Sequence, residues 1–254
     1  MKYQWLVILF LFIACNINSN NTKPINNLKA IREGVEYCES CYGFELALKN
    51  PSNVYSIELD YSKNTIDTLK RFDRLEVIYV NKLKNISFEV FLNEISGLYK
   101  LRKISIENTG LTYIPKEIGL LKNLESLEIK DTIYKISDSF YNLTELKELS
   151  LYSTDISPLL CNLNKLEILE ISNPNKNSMP EMISCLSNLE IIRLHKHILY
   201  FPDLKKLSKL KQIDCLNTKI HTKVNKLSEK ERQKYFEHLH SLLPENCRLK
   251  LTVT

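Results

Sequence analysis

Cysteine and histidine are the residue types in this 254-residue chain that could bind a metal ion or carry out redox chemistry. Cys38 and Cys41 form a C-x-x-C pair. A structural zinc site needs two further ligands, and the sequence has no second C-x-x-C to supply them. A thioredoxin-like motif needs a βαβ context, which the sequence pattern around this pair lacks. The pair therefore predicts either a disulfide or two free thiols, and a disulfide suits an exported protein.

The five histidines do not form a metal-ligand pattern either. His195 and His197 are two residues apart, but in the repeat that begins at Leu189 His195 points to solvent and His197 takes the inward ninth place. His238 and His240 are two apart within a predicted helix, which places them on nearly opposite sides. The motifs G-x-S-x-G, G-x-G-x-x-G, H-E-x-x-H and the P-loop are absent. We therefore predict no catalytic, cofactor-binding or metal site, and a protein that is not an enzyme.

Four further cysteines show no partner by their spacing. Cys215 occupies the place of a buried strand leucine in its repeat, and unpaired cysteine behaves as a small apolar residue. We predict the same buried, apolar role for all four: Cys161, Cys185, Cys215 and Cys247.

The composition indicates a globular protein built from repeats. Apolar residues make up 44% of the chain and charged residues 26%, which is enough for a core and excludes wholesale disorder. The net charge of +5 is too balanced for an obvious nucleic-acid-binding protein. Leucine occurs 41 times and glycine only 5 times, and this excess of leucine is typical of repeat proteins.

Eight self-similar units of about 22 residues follow one another over residues 54–224. They begin at Val54, Leu75, Leu101, Leu124, Leu146, Leu166, Leu189 and Leu210. Each unit opens with L-x-x-L-x-L or a close variant, and this alternation predicts a short strand with one buried face. A single unit cannot bury its own apolar face, so the units must stack on one another.

These units resemble the leucine-rich repeat, and the chain as a whole resembles the bacterial leucine-rich-repeat lipoproteins. The stretch Ala47 to Pro51 is similar to the start of the first repeat in that family. The resemblance implies an α/β leucine-rich-repeat solenoid, with a curved parallel sheet on the concave side and helices or turns on the convex side. It also implies helical N- and C-terminal caps. The second unit is the longest, and we expect a bulged loop near residues 81–87.

The N-terminus is expected to direct export. Residues 5–14 are apolar without a break, which is too short a run to span a membrane and fits a signal peptide. The tetrapeptide Phe12-Ile13-Ala14-Cys15 resembles a bacterial lipobox, in which the cysteine is lipidated, although Phe12 stands where that pattern prefers leucine. The alternative is an ordinary cleaved signal with Cys15 incidental. We expect an exported protein, lipid-anchored in the cell envelope, with exposure at the cell surface left open.

The chain divides into five segments on this reading. The last one contains a capping-box pattern, Ser228 to Glu231, before an apolar helix stripe, and an alternating strand pattern after Pro244. The segments are a lipoprotein-type signal peptide (1–15), an Asn-rich tether (16–27), an N-terminal cap (28–53), about eight leucine-rich repeats (54–224) and a C-terminal cap of helix plus strand (225–254).

The predicted concave face is the candidate binding surface. In the repeat register it carries more acidic than basic side chains, together with tyrosines, which are common anchors at interfaces. It is too broad and open for a small-molecule pocket. The binding candidates are Glu58, Asp60, Tyr61, Tyr79, Glu107, Glu128, Tyr152, Glu170, Arg193 and His195.

We therefore predict a non-enzymatic binding module that mediates protein–protein interaction through its concave face. The resemblance implies a protein or glycan partner, which includes a host surface protein, and we expect no nucleic acid and a monomeric state. The alternative is a structural envelope protein that associates with anionic lipid or lipopolysaccharide. Its contact would be the Lys-rich stretch from Lys205 to Lys226, which has seven lysines and only Asp214 as an acid.

Overall fold

The computed structural model describes residues 28–30, 51–59, 69–81, 83, 87–153, 156–172, 178–195, 200–216 and 219–252. The predicted signal peptide and tether, with Cys15, lie outside the described residues. So do Cys38 and Cys41, and two of the binding candidates, Asp60 and Tyr61. The division of the chain into five segments stays a prediction.

Nine parallel strands, one for each of the eight repeats and one from the C-terminal cap, form a single sheet. A tenth strand pairs antiparallel with its first edge, and a separate pair of two-residue strands lies outside it. In chain order the strands are β1 (Leu28–Ala30), β2 (Ser56–Leu59), β3 (Val77–Asn81), β4 (Lys103–Glu107), β5 (Tyr113–Ile114), β6 (Ser126–Ile133), β7 (Lys135–Ile136), β8 (Glu148–Ser153), β9 (Ile168–Ser172), β10 (Ile191–His195), β11 (Gln212–Leu216) and β12 (Arg248–Thr252). The leucine-rich-repeat fold expected from the sequence is confirmed, and the described part of the N-terminal cap contains a strand, β1.

The core lies between this sheet and a layer of short helices. One row of buried side chains crosses the sheet in register, at most 2% exposed: Ile57, Ile78, Ile104, Leu127, Leu149, Leu169, Ile192 and Ile213. The opposite layer consists of 3-10 helices at Lys116–Leu120, Asp138–Asn142, Pro158–Asn162 and Glu181–Cys185. Each of these helices buries at least one apolar side chain, so neighbouring repeats share one core.

A backbone ladder sets the register of the stack. The carbonyl of Glu76 accepts hydrogen bonds from the amides of both Arg102 (2.8 Å) and Lys103 (3.0 Å) in the next repeat. The same doubly bonded carbonyl recurs at the equivalent place from Tyr55 through to Glu190. Because every buried backbone group needs a partner, this ladder fixes how far each strand can shift against the next.

The long second repeat contains a helix, α1 (Phe88–Ile95). Most of the expected bulged loop near residues 81–87 lies outside the described residues, so the loop stays a prediction. Apolar residues at positions 88, 91, 92 and 95 follow helical spacing, and all four are buried against the core. Ser87 caps the helix, because its Oγ accepts a hydrogen bond from the amide of Val90 (3.4 Å).

Two of the four remaining cysteines were wrongly predicted. Cys161 and Cys185 form a disulfide between the 3-10 helices of consecutive repeats, with their Cα atoms 5.6 Å apart. The inward places of these helices are taken by Leu160 and Ile183, so the cysteines lie beside the core and meet each other across the repeat boundary. Cys215 and Cys247 are buried as predicted. Burial raises the pKa of the Cys247 thiol to about 11.

Two helices and β12 close the C-terminal end of the sheet. They are α2 (Lys219–Asn225) and α3 (Glu229–Ser241), and α3 begins directly after Ser228, the N-cap of the predicted capping box. The Glu231 carboxylate accepts hydrogen bonds from the Ser228 amide (3.0 Å) and hydroxyl (2.6 Å), and these bonds lower the pKa of Glu231. No helix within the described residues is long and apolar enough to cross a membrane.

The stack leaves no room for a side chain at Gly119. A Cβ atom there would lie 2.8 Å from the carbonyl oxygen of Ser139 in the next repeat, whereas one at Gly97 would meet nothing within 4 Å. We predict that Gly119→Ala lowers the free energy of unfolding by about 1–3 kcal/mol, since the neighbouring backbone must move. Urea unfolding followed by circular dichroism measures it. Gly97→Ala is the matched control and should change stability by less than about 0.5 kcal/mol; equal effects of the two variants would contradict the close approach.

Candidate functional site

A continuous row of side chains crosses the open face of the sheet, which is the face opposite the 3-10 helices. It contains the residue at the fifth place of each repeat, counted from the residue that opens the repeat, and one further residue from β12. We call this row the central row: Glu58, Tyr79, Ser105, Glu128, Ser150, Glu170, Arg193, Asp214 and Lys250. Parallel strands in register place equivalent side chains side by side. The row therefore aligns residues from every repeat, and its two ends are 192 positions apart in the sequence.

Four candidate residues meet at one point on this face. His195 Nε2 lies 2.8 Å from Glu170 Oε1, and the His195 ring packs edge-to-face on Tyr152 at 5.5 Å between centroids. The Arg193 guanidinium lies between two carboxylates, 3.9 Å from Glu170 and 4.0 Å from Asp214. We call Tyr152, Glu170, Arg193 and His195 the Glu170 cluster.

The Glu170 cluster is partly withdrawn from water. The side chains of Glu170 and His195 are each 21% exposed. The hydrogen bond with His195 lowers the pKa of Glu170, and this effect outweighs burial, which acts in the opposite direction. Burial, reinforced by the nearby Glu170 charge, raises the pKa of the Tyr152 phenol. The cluster therefore presents a fixed carboxylate next to a neutral phenol.

A second group of charges surrounds an irregularity in β6. The pairing of β6 with β8 shifts between Ile129 and Thr132, so Lys130 and Asp131 have no strand partner. The Lys130 ammonium lies 3.0 Å from Glu107 and 3.3 Å from Glu128. Asp131 accepts hydrogen bonds from the amide (3.0 Å) and hydroxyl (2.5 Å) of Thr109. Most acids predicted for this face are therefore already bonded to neighbouring repeats.

An apolar pair on the open face was missed by the sequence analysis. Ile168 and Ile191 are register partners in β9 and β10 and are only half-buried. They stand at the third place of their repeats, where Lys103, Ser126 and Glu148 stand in the three repeats before them. An aligned column of third places would have revealed them, because the other members from β4 onward are polar. They lie two residues before Glu170 and Arg193 along the same strands and on the same face.

The three remaining candidates among the described residues lie on the same face. Glu58 and Tyr79 belong to the central row near its first edge, and Glu107 lies at the end of β4 beside Lys130. Within the described part of the chain, no group of three or more His, Cys, Asp or Glu residues could hold a metal ion. The arrangement is an open surface of mixed apolar, aromatic and charged side chains, which suits contact with a macromolecule.

A stack of parallel strands with one open face defines a repeat solenoid of the binding-module type. The chain belongs to the leucine-rich repeat family, since a model of the family described as "Leucine-rich repeat region" matches residues 56–251. Leucine-rich repeat proteins are generally protein-binding modules and are typically non-enzymatic scaffolds.

Solved structures share this fold at low sequence identity. Internalin C2 from Listeria monocytogenes is 16% identical with a TM-score of 0.55, covering 82% of this chain and 84% of that one. The leucine-rich repeat domain of the type III effector XopL is 20% identical with a TM-score of 0.53, covering 82% and 80%.

One curated relative is the volume-regulated anion channel subunit LRRC8D of Rattus norvegicus, 26% identical over 182 residues. The match covers 69% of this chain and about a fifth (19%) of that relative's length.

The lowered pKa of Glu170 makes a prediction about stability. A carboxyl whose pKa is lower in the folded state contributes its full stabilisation above the ordinary glutamate value of about 4.3, and loses it as the pH falls through the lowered value. We expect the urea midpoint of the wild type to fall more steeply than that of Glu170→Gln as the pH is lowered from about 5 through the acidic range. Glu181→Gln, at an exposed helix position, is the control and should follow the wild type. Parallel curves for Glu170→Gln and the wild type would refute the role of the His195 bond.

Proposed function

We propose that this protein is an exported, lipid-anchored binding protein of a bacterial envelope, which binds a protein partner through the open face of its sheet. The finer proposal is that the partner is presented outside the cell, which includes a host surface protein. The fold class and the general role of protein binding belong to the family, whereas the anchor, the compartment and the partner are proposals for this chain.

The observation that carries the binding proposal is the apolar pair Ile168 and Ile191 beside the Glu170 cluster. Burying an aliphatic side chain that stands half exposed is favourable, so a partner gains free energy by covering this pair. Arginine and tyrosine are among the residue types most enriched at the energetic centres of interfaces. Arg193 follows Ile191 by two residues on the same face of β10, and Tyr152 lies further along that face, against His195. The centre of the proposed interface is therefore at strands β8 to β10.

The internal ion pairs of the open face support recognition of a preformed shape. Arg193 is held by two carboxylates and His195 by Glu170, so these side chains are already ordered before a partner arrives. Ordering side chains on binding costs free energy, and a surface that is already ordered avoids much of that cost.

The disulfide supports export. Disulfides form and persist mainly in oxidising compartments outside the cytosol, and Cys161 is bonded to Cys185. The apolar run at residues 5–14, followed by the lipobox-like Phe12 to Cys15, supports the same compartment and adds a lipid anchor at Cys15.

Photo-cross-linking in producing cells tests the binding face. With p-benzoylphenylalanine in place of Ile191, we expect a discrete adduct between this chain and one protein, because the probe lies at the centre of the proposed interface. The same probe in place of Leu159, which is 38% exposed on the opposite, helical side, is the matched control. The readout is an immunoblot for this chain after irradiation.

A charge change tests whether the adduct reports specific binding. Glu128→Lys combined with Glu170→Lys should abolish the adduct from position 191 while the circular dichroism spectrum is unchanged, since both acids belong to the central row. Equal adducts from positions 191 and 159, or an adduct that survives the double charge change, would refute binding through the open face.

Protease shaving of intact cells tests the compartment. If the repeats are exposed at the cell surface, the full-length mature chain should disappear while a periplasmic control protein stays intact. If the chain survives until the cells are lysed, the repeats lie inside the envelope and a host partner is excluded.

A further inference from the structure

The charge of this protein is concentrated at its C-terminal end. Residues 200–252 contain twelve Lys and Arg against six Asp and Glu, a net charge of +6. The rest of the chain contains twenty-three against twenty-four, a net charge of −1. The whole excess of positive charge therefore lies between the end of the seventh repeat and the C-terminal cap.

The boundary before the last repeat differs from the preceding boundary at four equivalent places. Around the start of the seventh repeat at Leu189 these places hold Ser184, Cys185, Asn188 and Glu190, and around the start of the eighth at Leu210 they hold Lys205, Lys206, Lys209 and Lys211. One step along the stack thus changes the local charge from −1 to +4. Arg248 adjoins this group, since its amide bonds to the Lys211 carbonyl at 2.9 Å. We call these four lysines and Arg248 the basic corner.

The basic corner is held rigidly and faces outward. Leu204, Leu207 and Leu210 alternate with the lysines in the turns of this repeat and are at most 2% exposed. Their burial in the shared core fixes the turns, whereas Lys205, Lys206 and Lys209 are all exposed. The amide of Leu204 also bonds to the carbonyl of Leu242 at 2.8 Å, which ties the turn to the end of α3.

Few acids neutralise the basic corner. Lys211 pairs with Glu190 at 2.7 Å, and Lys209 donates to the neutral side chain of Asn188. Among the described residues, Lys205, Lys206 and Arg248 form no ion pair within 4.0 Å. By contrast, Lys223 packs against the rings of Tyr235 (4.5 Å) and Tyr200 (5.5 Å), so it belongs to the packing of the cap.

We propose that the basic corner docks on the phosphate groups of an anionic phospholipid surface. Clustered lysines near such a surface are attracted by its negative potential without any specific fit. The cluster is dominated by lysine, a point charge, rather than by the planar forks of arginine that recognise single phosphates. None of its members lies over an aromatic ring on which a nucleic-acid base could stack.

Docking at the basic corner leaves the proposed binding face accessible. Its four lysines lie on the helical side and at the rim before β11, away from the Glu170 cluster on the open face. Arg248 begins β12 in the same column as Ile191, two strands away at the last edge of the sheet. This proposal does not depend on the identity of a protein partner or on lipidation of Cys15.

Vesicle flotation with the full chain tests the proposal. We expect binding to vesicles of phosphatidylglycerol in phosphatidylcholine that exceeds binding to pure phosphatidylcholine and falls at high salt. The triple variant Lys205→Gln, Lys206→Gln and Lys209→Gln should bind the anionic vesicles at least about tenfold more weakly. The apolar run at residues 5–14 is present in every sample, so it adds the same contribution to each.

A matched triple variant separates location from total charge. Lys116→Gln, Lys122→Gln and Lys135→Gln removes the same charge from exposed places in other repeats, and should weaken binding less than about twofold. Unchanged circular dichroism spectra and melting temperatures establish that both triples are folded. Equal losses from both triples, equal binding to both kinds of vesicle, or stronger competition by duplex DNA at the same phosphate concentration would each overturn the proposal.

Discussion

A repeat of about 22 residues cannot cover the apolar face of its own strand, so every repeat is stable only against its neighbours. The backbone ladder turns this requirement into a fixed geometry. The carbonyl of Glu76 accepts hydrogen bonds from two consecutive amides of the next repeat, and the pattern continues along the stack to Glu190. Since the side-chain period of a strand is two, a shift of one residue would exchange the buried and open faces completely. Everything on the open face follows from that register.

The regular features of this fold could be predicted because they repeat. The central row from Glu58 to Asp214 follows from aligning the units. With eight units, the common register is clear even where a single unit departs from the pattern. Features confined to one repeat could not be predicted in this way. The spacing that makes α1 was present at residues 88–95, but aligning the units did not reveal this helix, because it is confined to the long second unit. The irregular pairing of β6 at Lys130 and Asp131 likewise has no counterpart in its neighbours.

The features that could not be read from the sequence depend on which residues face each other across neighbouring repeats. Cys161 and Cys185 were expected to be small, buried apolar residues, but Leu160 and Ile183 already hold the inward places. The cysteines can then only lie beside the core, where stacking brings consecutive repeats together. Ile168 and Ile191 were not predicted to face solvent, for a related reason. An isoleucine in a strand suggests the core, and only its place in the repeat shows that it faces solvent.

Position in the stack also decides which charges remain available. An interior repeat has neighbours on both sides, and Glu125 uses both, pairing with Arg102 at 3.4 Å and with Lys147 at 2.7 Å. The last repeat has a neighbouring repeat on one side and the cap on the other. Its Lys211 pairs backward with Glu190, but the cap residue at that place is Cys247, a buried thiol that cannot form an ion pair with it. The alternation that neutralises the interior therefore ends at the cap, and the surplus charge of the chain is directed outward there.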